Sequence, residues 1–171
     1  MFKIIYNNIL NIKTEYMVNA SNGVGFMGGF LARYIKMHGL AEYLNFKTKG
    51  KIEKEAKKEC RKNLKFPFRI FNHSKAGDIF ITNSYLDNCK FICHAVTMTY
   101  PGTKSSLEVI DNLCCEIADF CRAKQITSIT IPLLGCGVGR LKEEDVLNIY
   151  RKRFVNCKTE IIIVINKEEP N

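Results

Sequence analysis

Two glycine-rich stretches carry the residue types that can grip an anion. The first reads Val18-Asn19-Ala20-Ser21-Asn22-Gly23-Val24-Gly25-Phe26-Met27-Gly28-Gly29. Its four glycines leave backbone N–H groups approachable with no Cβ in the way. Its two asparagines can both donate and accept. The second reads Pro132-Leu133-Leu134-Gly135-Cys136-Gly137-Val138-Gly139-Arg140. The alternation of Gly135, Gly137 and Gly139 suits a nest of N–H groups around phosphate oxygens. The second stretch is not a known nucleotide signature. The chain has no G-x-x-x-x-G-K-[ST], and Arg140 stands where G-x-G-x-x-G needs its third glycine. One such loop is equally well read as a plain chain reversal. Two of them, each between a strand and a helix, favour a bound diphosphate. Residue chemistry alone therefore implies a phosphorylated small molecule, with a dinucleotide as one case.

The eight cysteines include no Cys-x-x-Cys pair. Cys89-x-x-x-Cys93-His94 has roughly metal-like spacing, but Cys93 and His94 are adjacent in the strand-like run FICHAV. Adjacent strand residues point to opposite faces, so no metal site is expected. Reduced, mostly buried thiols are the expectation for a chain with no evident secretory leader.

The elements that must position these loops alternate in type. Apolar or β-branched runs predict strands at 2–6, 15–20, 78–82, 91–96, 127–131 and 159–165. Helical spacing predicts helices at 28–38, 51–64, 105–123 and 142–154, with Ser105 or Ser106 as the N-cap of the third. The order implies a layered α/β domain with a largely parallel sheet. Ligands of such sheets bind beyond the carboxyl ends of the strands, which is where both glycine loops fall. With 171 residues, no repeat and no linker-like tract, the chain is expected to be one domain spanning 1–171.

The net charge is +9 and the pI about 9.2. Most of the excess lies in 47–65, where nine basic residues face three acidic ones. That segment is either a solvated helix face, with Ile52, Ala56, Cys60 and Leu64 turned inward, or a footprint for nucleic acid. An apolar fraction of 46% argues against disorder. No apolar run approaches the roughly 18 residues of a membrane helix. A cytoplasmic protein without a membrane partner is expected.

Four segments occur in a telling order: Asn19-Ala20-Ser21-Asn22, Met27-Gly28-Gly29, His94-Ala95-Val96-Thr97-Met98-Thr99-Tyr100-Pro101-Gly102, and Leu134-Gly135-Cys136-Gly137-Val138-Gly139. Together they resemble the macrodomain family of ADP-ribose-binding modules, over nearly the whole chain from Lys3 to about Ile165. The resemblance implies a three-layer α/β/α fold around a mixed central sheet. It also implies ADP-ribose or an ADP-ribosylated substrate as ligand, with no cofactor and no metal.

Site roles follow from the same resemblance. Asn8, followed by Ile9, matches the position that accepts from the adenine amino group, although Asn8 could equally cap a turn. Asn19, Ala20 and Asn22 belong to the motif beside the distal ribose, where Asn22 would hold the ribose or position a water, or else bond loop backbone. Met27, Gly28, Gly29, Phe30 and Leu31 match the first diphosphate loop, with Phe30 where members often carry a third glycine. Leu134, Gly135, Cys136, Gly137, Val138 and Gly139 match the second. Gly139 stands where many members place an aromatic on the distal ribose. Leu31-Ala32-Arg33 lacks the aspartate that some hydrolases carry after Gly-Gly. In the Gly-Cys-Gly branch some members pair a lysine with an aspartate. The matching positions are Lys104 and Gly139, so only the lysine is present, and Lys104 also reads as a solvated charge. Cys136 has no evident base to make it a nucleophile.

Three functions remain open. One is hydrolysis of an ester or related bond at the distal ribose, in O-acetyl-ADP-ribose or ADP-ribosylated protein, with Asn22 and Lys104 as catalytic candidates. The second is a reader module without chemistry. The third is nucleic-acid binding through 47–65.

Overall fold

The computed structural model describes residues 1–37, 39–61 and 73–166. The chain runs β1 (Phe2–Tyr6), a single 3-10 turn (Ile9–Asn11), β2 (Tyr16–Asn22), α1 (Gly29–Tyr34), α2 (Leu40–Lys47) and α3 (Lys51–Glu59). It continues through β3 (Ile79–Asn83), β4 (Phe91–Met98), α4 (Leu107–Lys124), β5 (Ser128–Pro132), α5 (Glu143–Phe154) and β6 (Glu160–Ile165). The six strands form one sheet in the order β1-β6-β5-β2-β4-β3. Neighbours pair in parallel except β3 with β4, so the sheet is mixed as expected.

Strand alternation sorts the core into two layers. On one face, Val18, Ala95, Ile129, Ile131, Ile161 and Ile163 pack against α4 and α5 through Ile110, Leu113, Ile117, Val146, Tyr150 and Phe154. On the other, Met17, Ile92, Val96, Ile162 and Val164 pack against Met27, Leu44, Ile52 and Ala56. This is the expected α/β/α arrangement. Cys93 belongs to the first layer, while His94 stacks on Phe80 in the second at a ring separation of 4.7 Å. Among the described residues no helix is long and apolar enough to cross a membrane.

Ser106 is the N-cap of α4, its hydroxyl accepting from the Val109 amide at 3.3 Å. The helix expected at 28–38 ends at Tyr34, because Ile35 is extended (φ −118°, ψ 125°). A further helix, α2, follows it. Its apolar stripe is short and its N-cap, Gly39, has no capping side chain, so it left little pattern to read. Of the anticipated stripe on the basic helix, Ile52, Ala56 and Cys60 are buried and Leu64 lies outside the described residues. Lys51, Lys54, Lys57 and Lys58 are exposed, consistent with a solvated face.

One acid in that segment is not solvated. The Glu53 side chain is 2% exposed, and its carboxylate ion-pairs with Lys57 at 2.7 Å. It accepts from the Asn45 side-chain amide at 2.8 Å and from the Met27 backbone amide at 3.4 Å. Asn45 Nδ2 also donates to the carbonyls of Met27 (3.0 Å) and Gly29 (3.1 Å). All three of its neighbours are acceptors, which fixes which way the Asn45 amide points. This latch ties α2 and α3 to the glycine turn that opens α1. A buried carboxylate that loses a donor bears the full desolvation cost. Asn45→Ala should therefore lower stability by about 2–3 kcal/mol, or about 5–10 °C in Tm for a chain of this size. A melt followed by circular dichroism checks this, and an unchanged midpoint contradicts it.

Candidate functional site

The carboxyl ends of β2, β4 and β5 open onto a cleft of about 340 Å³. A larger hollow of about 990 Å³ lies at the amino ends of the same strands, lined by Lys13–Glu15 and 83–91 and without a glycine loop.

One wall of the cleft is the loop after β5. Gly135, at φ +77°, lets the chain double back so that its carbonyl accepts from the Leu141 amide at 3.0 Å. Gly139 seats on that same backbone: a Cβ there would lie 2.5 Å from the Gly135 carbonyl oxygen. Any side chain at this position would press on the Gly135 backbone, so the loop's path calls for glycine here. Among the described residues, the N–H groups of Gly135, Cys136, Gly137, Val138 and Gly139 donate to no protein acceptor. Such a run of unpaired amides is a backbone arrangement able to hold an anion. Tyr150 holds its base. The buried hydroxyl donates to the Pro132 carbonyl (2.8 Å) and accepts from the Leu134 amide (2.9 Å). Burial pushes the Cys136 thiol up to about 11, so it stays protonated near neutrality and is a poor nucleophile.

The floor comes from β2. Asn19, fully buried, lines the cleft and donates to His94 Nδ1 at 3.3 Å, while its Oδ1 has no partner among the described residues. His94 Nε2 meets the Thr82 hydroxyl at 2.9 Å. Ala20 and Asn22 also line the cleft. The Asn22 amide, however, is engaged at both ends: Nδ2 donates to the Phe26 carbonyl (2.8 Å) and Oδ1 accepts from the Phe26 amide (3.0 Å). Asn22 thus shapes the first glycine loop, the structural alternative foreseen for it.

The opposite wall departs from expectation. Phe26 and the first turn of α2, from Gly39 to Glu42, line the cleft, whereas Met27, Gly28, Gly29, Phe30 and Leu31 are not among the lining residues. Met27 is a core side chain, and Phe30 and Leu31 are exposed. Gly28 and Gly29, at φ +87° and +63°, make the turn that starts α1. Gly135, Gly137, Val138 and Gly139 line the cleft, with Leu134 buried and Cys136 half-buried beside them. Asn8 caps the 3-10 turn by accepting from the Leu10 amide at 3.0 Å, and Ile9 is in the core; neither lines the cleft. Lys104 is exposed and outside it. Glu42, Tyr150 and the Asn45–Glu53 latch were not anticipated. Only the position of Glu42 three residues after Gly39 hints at a helix start.

Residues 18–150 match the Macro domain family. The chain belongs to it. The macro domain is also 26% identical to an uncharacterized protein of Aquifex aeolicus, covering 98% of this chain and 91% of that protein. Its fold is similar to the macrodomain of Mycobacterium tuberculosis DarG, with a TM-score of 0.76, 23% identity, and coverage of 96% and 97% of the two chains. It is equally similar to a mutant Oceanobacillus iheyensis macrodomain with ADPR, with a TM-score of 0.75, 18% identity, and coverage of 98% and 86%.

Two outcomes follow. In this macro domain Gly139→Ala should lower Tm by several degrees, because its Cβ meets backbone. Gly137→Ala, whose Cβ would meet nothing within 4 Å, should leave Tm unchanged. The reverse order in a thermal melt contradicts the loop geometry. The second concerns His94, whose pKa burial lowers to about 3. The unfolded imidazole titrates near 6.5. Its contribution is therefore complete above pH 6.5 and is lost as pH falls toward 3, at about 1.4 kcal/mol per pH unit. Urea unfolding at pH 6.5 and 4.5 should show wild type losing about 2 kcal/mol more than His94→Gln. Equal losses contradict it.

Proposed function

We propose that this macro domain binds ADP-ribose in the cleft, with the diphosphate on the amides of Gly135–Gly139, and hydrolyses an ester or related bond between the distal ribose and its substituent. The observation that carries the binding reading is the run of five unpaired amides beside a cleft at the carboxyl ends of the strands. The ADPR in the Oceanobacillus iheyensis structure supports it. Hydrolysis adds water across the ester and yields ADP-ribose and a carboxylic acid. Support for it is narrower: Pro101 and Gly102 line the cleft yet are exposed, leaving that side open to a substituent.

A reader module without chemistry is the second reading. It is favoured by the engagement of Asn22 with Phe26 and by the position of Lys104 outside the cleft. Nucleic-acid binding through 47–65 would instead give steep salt dependence.

Calorimetry separates these readings. ADP-ribose should bind at micromolar Kd, about −8 kcal/mol, with AMP and ribose phosphate much weaker. Gly137→Ala should weaken ADP-ribose at least tenfold with Tm unchanged, since its Cβ fills the space an anion would enter. Full affinity in that variant contradicts the diphosphate placement. Release of acetate from O-acetyl-ADP-ribose supports the hydrolase. Tight binding without release supports the reader.

A further inference from the structure

We infer that Glu42 is a ligand-contacting, specificity-determining residue: its carboxylate accepts from the hydroxyls of the terminal ribose and rejects nucleotides that end in phosphate. This rests on the ADP-ribose reading of the cleft and deepens it.

Three observations carry the assignment. Glu42 is the one charged side chain among the described residues that line the cleft. It stands on the wall of α2, apart from the amide cradle of Gly135–Gly139. It is half-buried, and among the described residues its carboxylate makes no hydrogen bond or ion pair. A glutamate three residues into a helix commonly folds back to cap the first amides; no such bond is present here. Finally, two glycines clear a slot for it. A Cβ on Gly28 would lie 2.9 Å from Glu42 Cγ, and one on Gly39 would lie 2.0 Å from Oε2. Gly28 and Gly39 come from separate segments; at Gly39 the three nearest atoms all belong to Glu42, while at Gly28 a Cβ would meet Ala32 Cβ (2.4 Å) as well as Glu42.

The chemistry of a suitable ligand follows from the two walls. Unpaired N–H groups on one wall attract a diphosphate, and an unpaired carboxylate on the other repels one. The group beside Glu42 must therefore be neutral and must donate. An ionised carboxylate is an acceptor only, with room for more than one donor, and hydrogen bonds to a charged acceptor are the stronger kind. Ribose hydroxyls meet both demands. A terminal phosphate in their place would meet like charge across a short, partly dry gap.

The test is titration of ADP-ribose and of ADP into wild type, Glu42→Gln and Glu42→Ala, with melts to confirm folding. Glu42→Gln keeps the shape and so guards against a folding defect in Glu42→Ala. Wild type should prefer ADP-ribose at least tenfold. Glu42→Ala should weaken ADP-ribose about tenfold or more while ADP binds as well or better, and Glu42→Gln should narrow the preference mainly by improving ADP. Equal shifts for both ligands, or ADP-ribose affinity unchanged in both variants, overturn the role of Glu42 and leave the ADP-ribose reading standing. Wild type that binds neither ligand overturns that reading and this assignment with it.

Discussion

The buried carboxylate of Glu53 is the constraint on which the ligand-facing geometry depends. Putting a carboxylate out of water is costly unless donors surround it. Here the donors are Lys57, the Asn45 side chain and the Met27 amide. Two of the three bring a distant segment with them. Asn45 carries α2, and Met27 carries the turn that starts α1. The same amide group then reaches the Met27 and Gly29 carbonyls, so the turn is held from both its donor and its acceptor side. The wall of the cleft made by Phe26 and Gly39–Glu42 is therefore placed by a polar cluster behind it.

The opposing wall is placed differently. Tyr150 reaches from α5 to bond both Pro132 and Leu134, which sets the direction in which the chain leaves β5. From there the loop is a backbone construction. Gly135 reverses the chain, Gly139 closes against it, and the intervening amides are left over. Main-chain amides can hold an anion without a charged side chain, and among the described residues that line the cleft only Glu42, on the other wall, is charged. The two walls have opposite polarity, and on the proposed reading that opposition would orient a ligand with a charged middle and a hydroxylated end. The lysines of α3 lie on a solvated face and add to the general positive field.

How much of this the residues disclose depends on the range of the interaction. Local signals read well. The β-branched run at Ile161–Ile165 is a central strand, Ser106 caps α4, and alternation puts Cys93 and His94 in different layers. The second glycine loop was legible because its chemistry is its backbone, and the backbone pattern is written in consecutive residues. The first was legible only in part. Asn22 lines the cleft, but its partner Phe26 is a main-chain contact that residue types do not announce. Helix α2 was missed because its apolar stripe is short and uncapped, and with it went Glu42, whose slot is made by glycines eleven residues apart. Glu53 looked like one more charge in a basic segment. Only packing shows that it faces inward.

The most direct test of the account is to follow the backbone amides by nitrogen–proton correlation spectroscopy while adding ADP-ribose. The account predicts that the largest shifts fall on Gly135 through Gly139, downfield as each amide gains a phosphate acceptor, with a second group around Gly39–Glu42. Largest shifts at the hollow formed by Lys13–Glu15 and 83–91, or none in the loop after β5, would contradict it.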